Sequence, residues 1–224
     1  MLILGVDTSG TNGSIALVKF EQGIARTLEV VPLEGGTFSA QLVPQISDGL
    51  NRHSLSKCDI DGFAVVSGPG SFTGLRVGLA AIKALAEVLQ KPIAAVSLLE
   101  AVVRASKTQG DVVAALDAGR GEVYAADIQI SGSQTTISNQ RLLTLAEFAS
   151  ANSNRQIITP DAKIADFVRG KSVLTQVDRP RADAIARLGF EKIQASKVMS
   201  PEALDANYIR RSDAEVKKLG EAPK

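Results

Sequence analysis

One cysteine, one histidine, two tyrosines and no tryptophan stand among the 224 residues. A lone cysteine, Cys58, closes no intrachain disulfide and excludes a zinc site of the cysteine-cluster type. A lone histidine, His53, excludes a two-histidine metal site and fits a surface position near a helix end. Net charge is nearly absent: 25 Lys and Arg face 24 Asp and Glu, so composition supplies no general attraction to nucleic acid or membrane, and any RNA contact must be local. No apolar run approaches the ~18 residues of a membrane span. The chain starts directly on Leu2-Ile-Leu-Gly-Val-Asp7, without a basic n-region or a cleavage site, which predicts a cytoplasmic protein without a membrane partner. Nucleophile chemistry is equally thin. No Gly-x-Ser-x-Gly elbow precedes a helix, Cys58 has no His/Asn pair at a recognisable spacing, and so no catalytic triad is nominated.

What is present is a repeated α/β order. Met1–Val6 is apolar, Asp7-Thr-Ser-Gly-Thr-Asn-Gly13 is dense in turn formers and Ser14–Val18 is apolar again, which predicts a hairpin. A third strand is expected over Ile24–Val31. Phe38, Leu42, Val43, Ile46 and Leu50 recur at helical spacing and predict a helix ending near Asn51. Strands at Ile60–Val66 and Ile93–Val96 flank a helix at Leu75–Leu89, and Ser97-Leu-Leu-Glu100 reads as a capping box for a helix to Ala105. A second hairpin, Val112–Leu116 and Glu122–Ile130, surrounds Asp117-Ala-Gly-Arg-Gly121. Beyond it, helices near 145–150, 163–169 and 181–194 alternate with strands near 156–159 and 173–177. The order predicts mixed sheets with helices packed on them, in two units: residues 1–106, and 107–224 after a boundary near Ser106–Gly110. Ser200-Pro carries helix-start chemistry, and Leu204, Tyr208 and Ile209 would anchor the segment from about 200 to 211 on the first unit. Charged residues beyond Ser212 predict a frayed end.

Two hairpins tipped by Asp7 and Asp117 suit a phosphate clamp of the actin, Hsp70 and sugar-kinase type, in which turn amides hold phosphate and the aspartates a cation. The same tripeptides are also ordinary turns. Such folds add a glycine-rich adenosine turn in the second half, where only Gly170 stands between Asn152 and Arg187. Arg169, Lys171, Arg179, Arg181 and Arg187 gather in that half, as a solvated face usually does.

The run Ser67-Gly-Pro-Gly-Ser-Phe-Thr-Gly-Leu-Arg-Val-Gly78 is not a Walker loop, because Leu75-Arg76 stands where Lys-Ser/Thr is required. Two alternatives stay open: an anion site at a helix N-terminus, and a tight strand-to-helix turn capped by Ser71 or Thr73. The helix that follows is apolar nearly all round. At roughly 100° per residue, Leu75, Gly78, Leu79, Ile82, Leu85, Ala86 and Leu89 share one face and Val77, Ala80, Ala81, Ala84 and Val88 another. Only Arg76, Lys83, Glu87 and Gln90 make a polar stripe, so both faces need cover. The second face would meet the 38–51 helix of the same chain, a partner, or both.

Ile3–Ser9 with Ser14–Leu17, the run Ser67–Gly78, Asp117-Ala-Gly-Arg-Gly-Glu-Val-Tyr124 and Tyr208-Ile-Arg210 together resemble the TsaB family, related to TsaD. The resemblance runs from Met1 to about Arg211. It implies a two-lobed actin/Hsp70-like ATPase fold of ribonuclease H-like units. It also implies a non-catalytic dimerisation subunit in threonylcarbamoyl transfer to N6 of the adenosine beside the tRNA anticodon. A TsaD-like catalytic subunit and a TsaE-like ATPase would be its partners, with tRNA the substrate of the complex, ATP or ADP at the partner junction and no cofactor of its own. An isolated homodimer is a further option. The catalytic relative needs a paired-histidine metal site, which one histidine cannot make. The implied interface comprises Phe38, Gln41, Leu42 and Gln45 on the first helix with Arg76, Val77, Ala80, Ala81, Ala84 and Val88 on the second. Phe38 stands where many members carry histidine, implying a more apolar contact. Asp7, Ser9, Gly70, Ser71, Asp117 and Gly119 would be a vestigial phosphate site, with no catalytic residue and no metal. The rival expectations are a small-metabolite kinase or ATPase using Asp7 and Asp117, and a peptidase, which the missing metal pair and triad disfavour.

Overall fold

The computed structural model describes residues 1–210, so the end expected to fray lies outside the described residues. Strands β1 (Leu2–Asp7), β2 (Asn12–Glu21) and β3 (Ile24–Glu34) form a meander, followed by α1 (Phe38–Arg52), β4 (Gly62–Gly68), α2 (Phe72–Leu89), β5 (Ile93–Ser97) and α3 (Leu98–Ala105). The order then starts again. Strands β6 (Gly110–Gly119), β7 (Glu122–Ser131) and β8 (Gln134–Thr144) precede α4 (Leu145–Ala151), β9 (Gln156–Thr159), α5 (Ala162–Val168), β10 (Val173–Gln176) and α6 (Ala182–Gln194).

Both sheets have the same plan. The first runs β3-β2-β1-β4-β5 and the second β8-β7-β6-β9-β10. In each, the meander is antiparallel and the two later strands add in parallel. This is the ribonuclease H-like unit, duplicated as in the two-lobed actin/Hsp70-like fold. β1 is central and all six of its residues are buried, which is why it reads as a continuous apolar run.

The layers follow from the contacts. α1 and α2 cover one face of the first sheet, α6 and α3 lie on the other, α3 also touches the second sheet, and α4 and α5 cover the far side of that sheet. One apolar core therefore runs from α1 through the first sheet to the near face of the second, including Leu116, Tyr124 and Ile128. A smaller core around Phe148 and Ile164 fills the far side.

Four expectations are corrected. The last helix follows the second sheet in sequence but packs on the first: Phe190 stacks on Phe20 with ring centroids 3.8 Å apart, and the Ala182 N–H donates to Ser14 Oγ at 3.0 Å. A cut near residue 106 would therefore separate the first sheet from its own cover. Residues 134–144 form a strand that the sequence does not announce, because it is a mostly exposed edge and Ile137 is the only bulky apolar residue in its first eight. Half of the capping box at α3 forms: Ser97 Oγ accepts from the Glu100 N–H at 3.5 Å, while the Glu100 carboxylate pairs with Lys192 at 2.9 Å. After Ser200-Pro there is one turn rather than a helix, with Ala203 and Leu204 N–H groups on the Ser200 carbonyl and Leu204 fully buried.

Candidate functional site

The glycine-rich run leaves β4 and becomes α2 three residues earlier than the periodicity indicates, with Ser71 as its cap: Ser71 Oγ accepts from the Gly74 N–H at 3.3 Å. Its helical glycines are there for contact. A Cβ on Gly74 would stand 2.0 Å from the Thr8 carbonyl oxygen, and one on Gly78 2.3 Å from Thr8 Oγ1. Only glycine lets α2 press on the β1–β2 turn at these two positions. The Ser71 N–H also donates to the Ser9 carbonyl at 2.7 Å, so the two turns form one piece.

α1 and α2 lie side by side. The second apolar face of α2 is divided by that contact: Val77 and Ala81 are half-buried, whereas Ala80, Ala84 and Val88 are exposed, Val88 at 74%. Val43 of α1 is 52% exposed. Two residues expected at a partner surface are turned inward. Phe38 and Leu42 are buried in the chain's own core, with the Phe38 ring against Gly13 and Gly74. Gln41 is engaged locally, donating to Thr37 Oγ1 at 2.6 Å and accepting from the Glu34 N–H, and Gln45 is half-buried. Arg76 is exposed, with its guanidinium 3.7 Å above the Phe72 ring. His53, at the C-terminal end of α1, lies 3.1 Å from a Glu29 carboxylate oxygen.

Between the lobes lies a cleft of about 850 Å³. Ser9, Gly70 and Ser71 line it from the first lobe and Asp117 and Gly119 from the second, so five of the six residues of the expected phosphate site are brought together. Asp7 is not among the lining residues. It is buried behind the turn, where Oδ1 accepts from both the Ser9 N–H (2.8 Å) and the Ser9 hydroxyl (2.6 Å). Burial raises its pKa, only partly opposed by the Ser9 hydrogen bonds and by Arg179. Asp117 is exposed, and its Oδ1 closes a turn on the Gly119 N–H at 3.0 Å.

Further cleft residues come from elements far apart in sequence. Asp161 accepts from the Asp117 N–H at 2.8 Å, Arg179 lies against Gly10, and Arg120, Tyr124, Tyr208 and Arg210 complete the wall. Asp161, directly before α5, has the sequence position of a helix cap, a signal that could have drawn attention to it. The five basic residues of the second half do not form one patch: Arg169 pairs with Asp166, Arg181 with Asp183, Lys171 covers Phe167 and Arg187 reaches Thr27. Among the described residues no group of three or more His, Cys, Asp or Glu is placed to hold a metal ion, and no helix is long and apolar enough to cross a membrane.

Comparison with known proteins adds three kinds of likeness. A family model described as "TsaD: tRNA N6-adenosine threonylcarbamoyltransferase" matches residues 30–184. The tRNA threonylcarbamoyladenosine biosynthesis protein TsaB of Bacillus subtilis is 29% identical over 97% of each chain. Escherichia coli TsaB is 34% identical over 133 residues, 58% of this chain and 55% of that one. A crystal structure from Pseudomonas aeruginosa, of an uncharacterized protein with similarity to peptidase YeaZ, superposes with a TM-score of 0.75 at 25% identity, covering 93% of this chain and 99% of the other.

Proposed function

The chain belongs to the TsaB family, within the wider TsaD family, and on that premise we propose that it is the supporting, non-catalytic subunit of the assembly that forms threonylcarbamoyladenosine in tRNA. Its task is to dock, through the outer surface of α1 and α2, on a TsaD-like catalytic subunit and to hold that subunit in a competent arrangement, with a TsaE-like ATPase completing the set.

The open half of α2 carries this proposal. Ala80, Ala84 and Val88 present small apolar groups to solvent, as Val43 does on α1, while Leu75, Gly78, Leu79, Ile82 and Ala86 are buried in the chain's own core. Small residues let a second helix approach closely, and burying such a strip removes apolar area from water at about 25 cal/mol per Å². The kinase alternative is weakened by Asp7, whose carboxylate faces Ser9 rather than the cleft. A single histidine likewise cannot supply a paired-histidine metal site.

Reconstitution tests the proposal: threonylcarbamoyl transfer to tRNA is measured with the catalytic subunit and the ATPase, with and without this chain. Transfer should require the chain. Undiminished transfer in its absence would overturn the proposal, as would tight ATP binding with turnover by the isolated chain in calorimetric titration.

A further inference from the structure

After α6 the chain does not leave the body but crosses the front of the molecule. The Met199 N–H donates to the Ile93 carbonyl at 2.9 Å, and Leu204 sits fully buried as an anchor. Beyond that anchor, three residues, Asn207, Tyr208 and Arg210, touch four different elements. The Asn207 N–H donates to Ser67 at the end of β4 (2.7 Å), and Asn207 Nδ2 donates to Gln140 Oε1 on β8 (2.7 Å). The Tyr208 hydroxyl accepts from Arg76 Nε on α2 (3.1 Å), and its ring lies 4.8 Å from Phe72. The Arg210 guanidinium pairs with the Glu122 carboxylate on β7 and lies 5.9 Å from the centre of the Tyr124 ring. Asn207 to Arg210 also form part of the cleft wall.

We propose that residues 207–210 are a clasp that links the outward surface of α2 to the opening of the interlobe cleft, with Arg76 as the shared residue. One end of the clasp is on the first lobe, through Ser67, Phe72 and Arg76, and the other is on the second, through Glu122 and Gln140. Since α3 packs against both lobes, it can serve as the pivot, and the clasp spans the two lobes at the cleft. Arg76 is exposed and carries both the stacking on Phe72 and the hydrogen bond to Tyr208. A carboxylate or aromatic group presented there by a docked protein competes for the same guanidinium, and Tyr208 then loses its donor. Such bonds at a partly exposed surface are individually weak, so the equilibrium between closed and loosened clasp lies within reach of one new contact. Leu204 anchors the segment ahead of residues 207–210. The clasp stands on the contacts of this chain alone; its operation by a partner rests on the docking role proposed above.

Hydrogen–deuterium exchange of the full chain, followed by peptide mass spectrometry, tests the clasp without any ligand. Arg76→Ala should raise exchange of residues 205–210, of the turn 8–12 and of the hairpin tip 117–121 by about fivefold or more, as weakening of a local closing equilibrium does. Exchange in α4, on the far side of the second sheet, should stay at the wild-type rate. Arg210→Ala should act in the same way from the other lobe, and Arg76→Lys, which keeps charge but loses the planar stacking, should resemble Arg76→Ala. Wild-type exchange at both cleft segments in Arg76→Ala would overturn the clasp. Adding the catalytic subunit separates the two proposals. Protection of α2 with no change at the cleft rejects the coupling and leaves docking intact; unaltered α2 with an Arg76→Ala cleft that loosens rejects docking and leaves the clasp intact.

Discussion

The Thr8 hydroxyl donates to the Gly74 carbonyl at 2.7 Å, fixing the first turn of α2 to the end of β1 across 66 residues of sequence. α2 is therefore aimed by the central strand of its own lobe. Because a Cβ at Gly74 would meet backbone oxygen at 2.0 Å, Gly74→Ala should cost about 2–3 kcal/mol, as overpacking does. Thermal melting should fall by about 4–10 °C for a chain of this size. Gly78→Ala meets a side-chain oxygen instead, so Thr8→Ala should recover part of its loss. Additive losses in that pair would show that Gly78 and Thr8 are not in conflict.

Ala84→Arg places a long cation in the middle of the exposed strip. As Ala84 is exposed, the isolated protein should melt within about 1 °C of the wild type, a surface change of less than ~0.5 kcal/mol. Co-elution with the catalytic subunit should be lost. Ala81→Arg is the poorer probe, because Ala81 is half-buried against the core and would disturb the fold as well. Co-elution of Ala84→Arg at wild-type yield would remove this strip from the interface.

Asp127 gives a pH dependence to the second lobe. Burial alone would raise its pKa, but Arg141, Asn139 and Arg155 donate to its carboxylate and hold it well below the usual 3.8. A carboxyl depressed in the folded state contributes stability above its unfolded pKa, and that contribution is lost as pH falls below about 4. Asp127→Asn should cost about 1–2 kcal/mol at pH 7, given that the pair is only partly buried. The gap between wild-type and variant melting temperatures should narrow steadily as the pH is lowered from about 5 to about 2. A gap independent of pH would mean that the charge of Asp127 is not what stabilises this corner.

The placement of α6 predicts that a fragment ending at residue 106 does not fold. Without Ile185, Ala186 and Phe190, one face of β1 and β2 is bare. Its amide NMR spectrum should be poorly dispersed, and a well-dispersed spectrum would refute the dependence. In the whole chain, Phe190→Ala should cost about 2–3 kcal/mol through loss of the stack on Phe20.

The legible parts of this molecule are those whose side chains signal local geometry. β1 and β4 read as buried strands because they are central, and the 38–51 helix shows its period in Phe38, Leu42, Ile46 and Leu50. The same period could not say what those residues face: Phe38 and Leu42 look alike whether they fill their own core or a partner's. β8 was silent because an edge strand with most of its side chains in water needs no apolar alternation. Of the cleft, Ser71 and Asp117 were readable from turn chemistry, and Ser9, Gly70 and Gly119 came with the family resemblance. Asp161, Arg179, Tyr208 and Arg210 were not readable, since no local rule relates residues about 150 to 200 positions away from Ser9. Asp7, expected in the same site, is buried instead, its carboxylate held by the Ser9 N–H and hydroxyl two residues on.

By itself the sequence determined the order of every strand and helix but β8, the near absence of histidine and cysteine, and the blocks that mark the family. Those follow from residue spacing, composition and short contiguous motifs. Only the tertiary structure decided that the last helix returns to the first sheet, that half of the second face of α2 stays open, and that four residues near the C-terminal end span both lobes. Each of these is a choice among apolar faces or polar partners of equal local merit, and such a choice is made by which long-range contacts can be satisfied together.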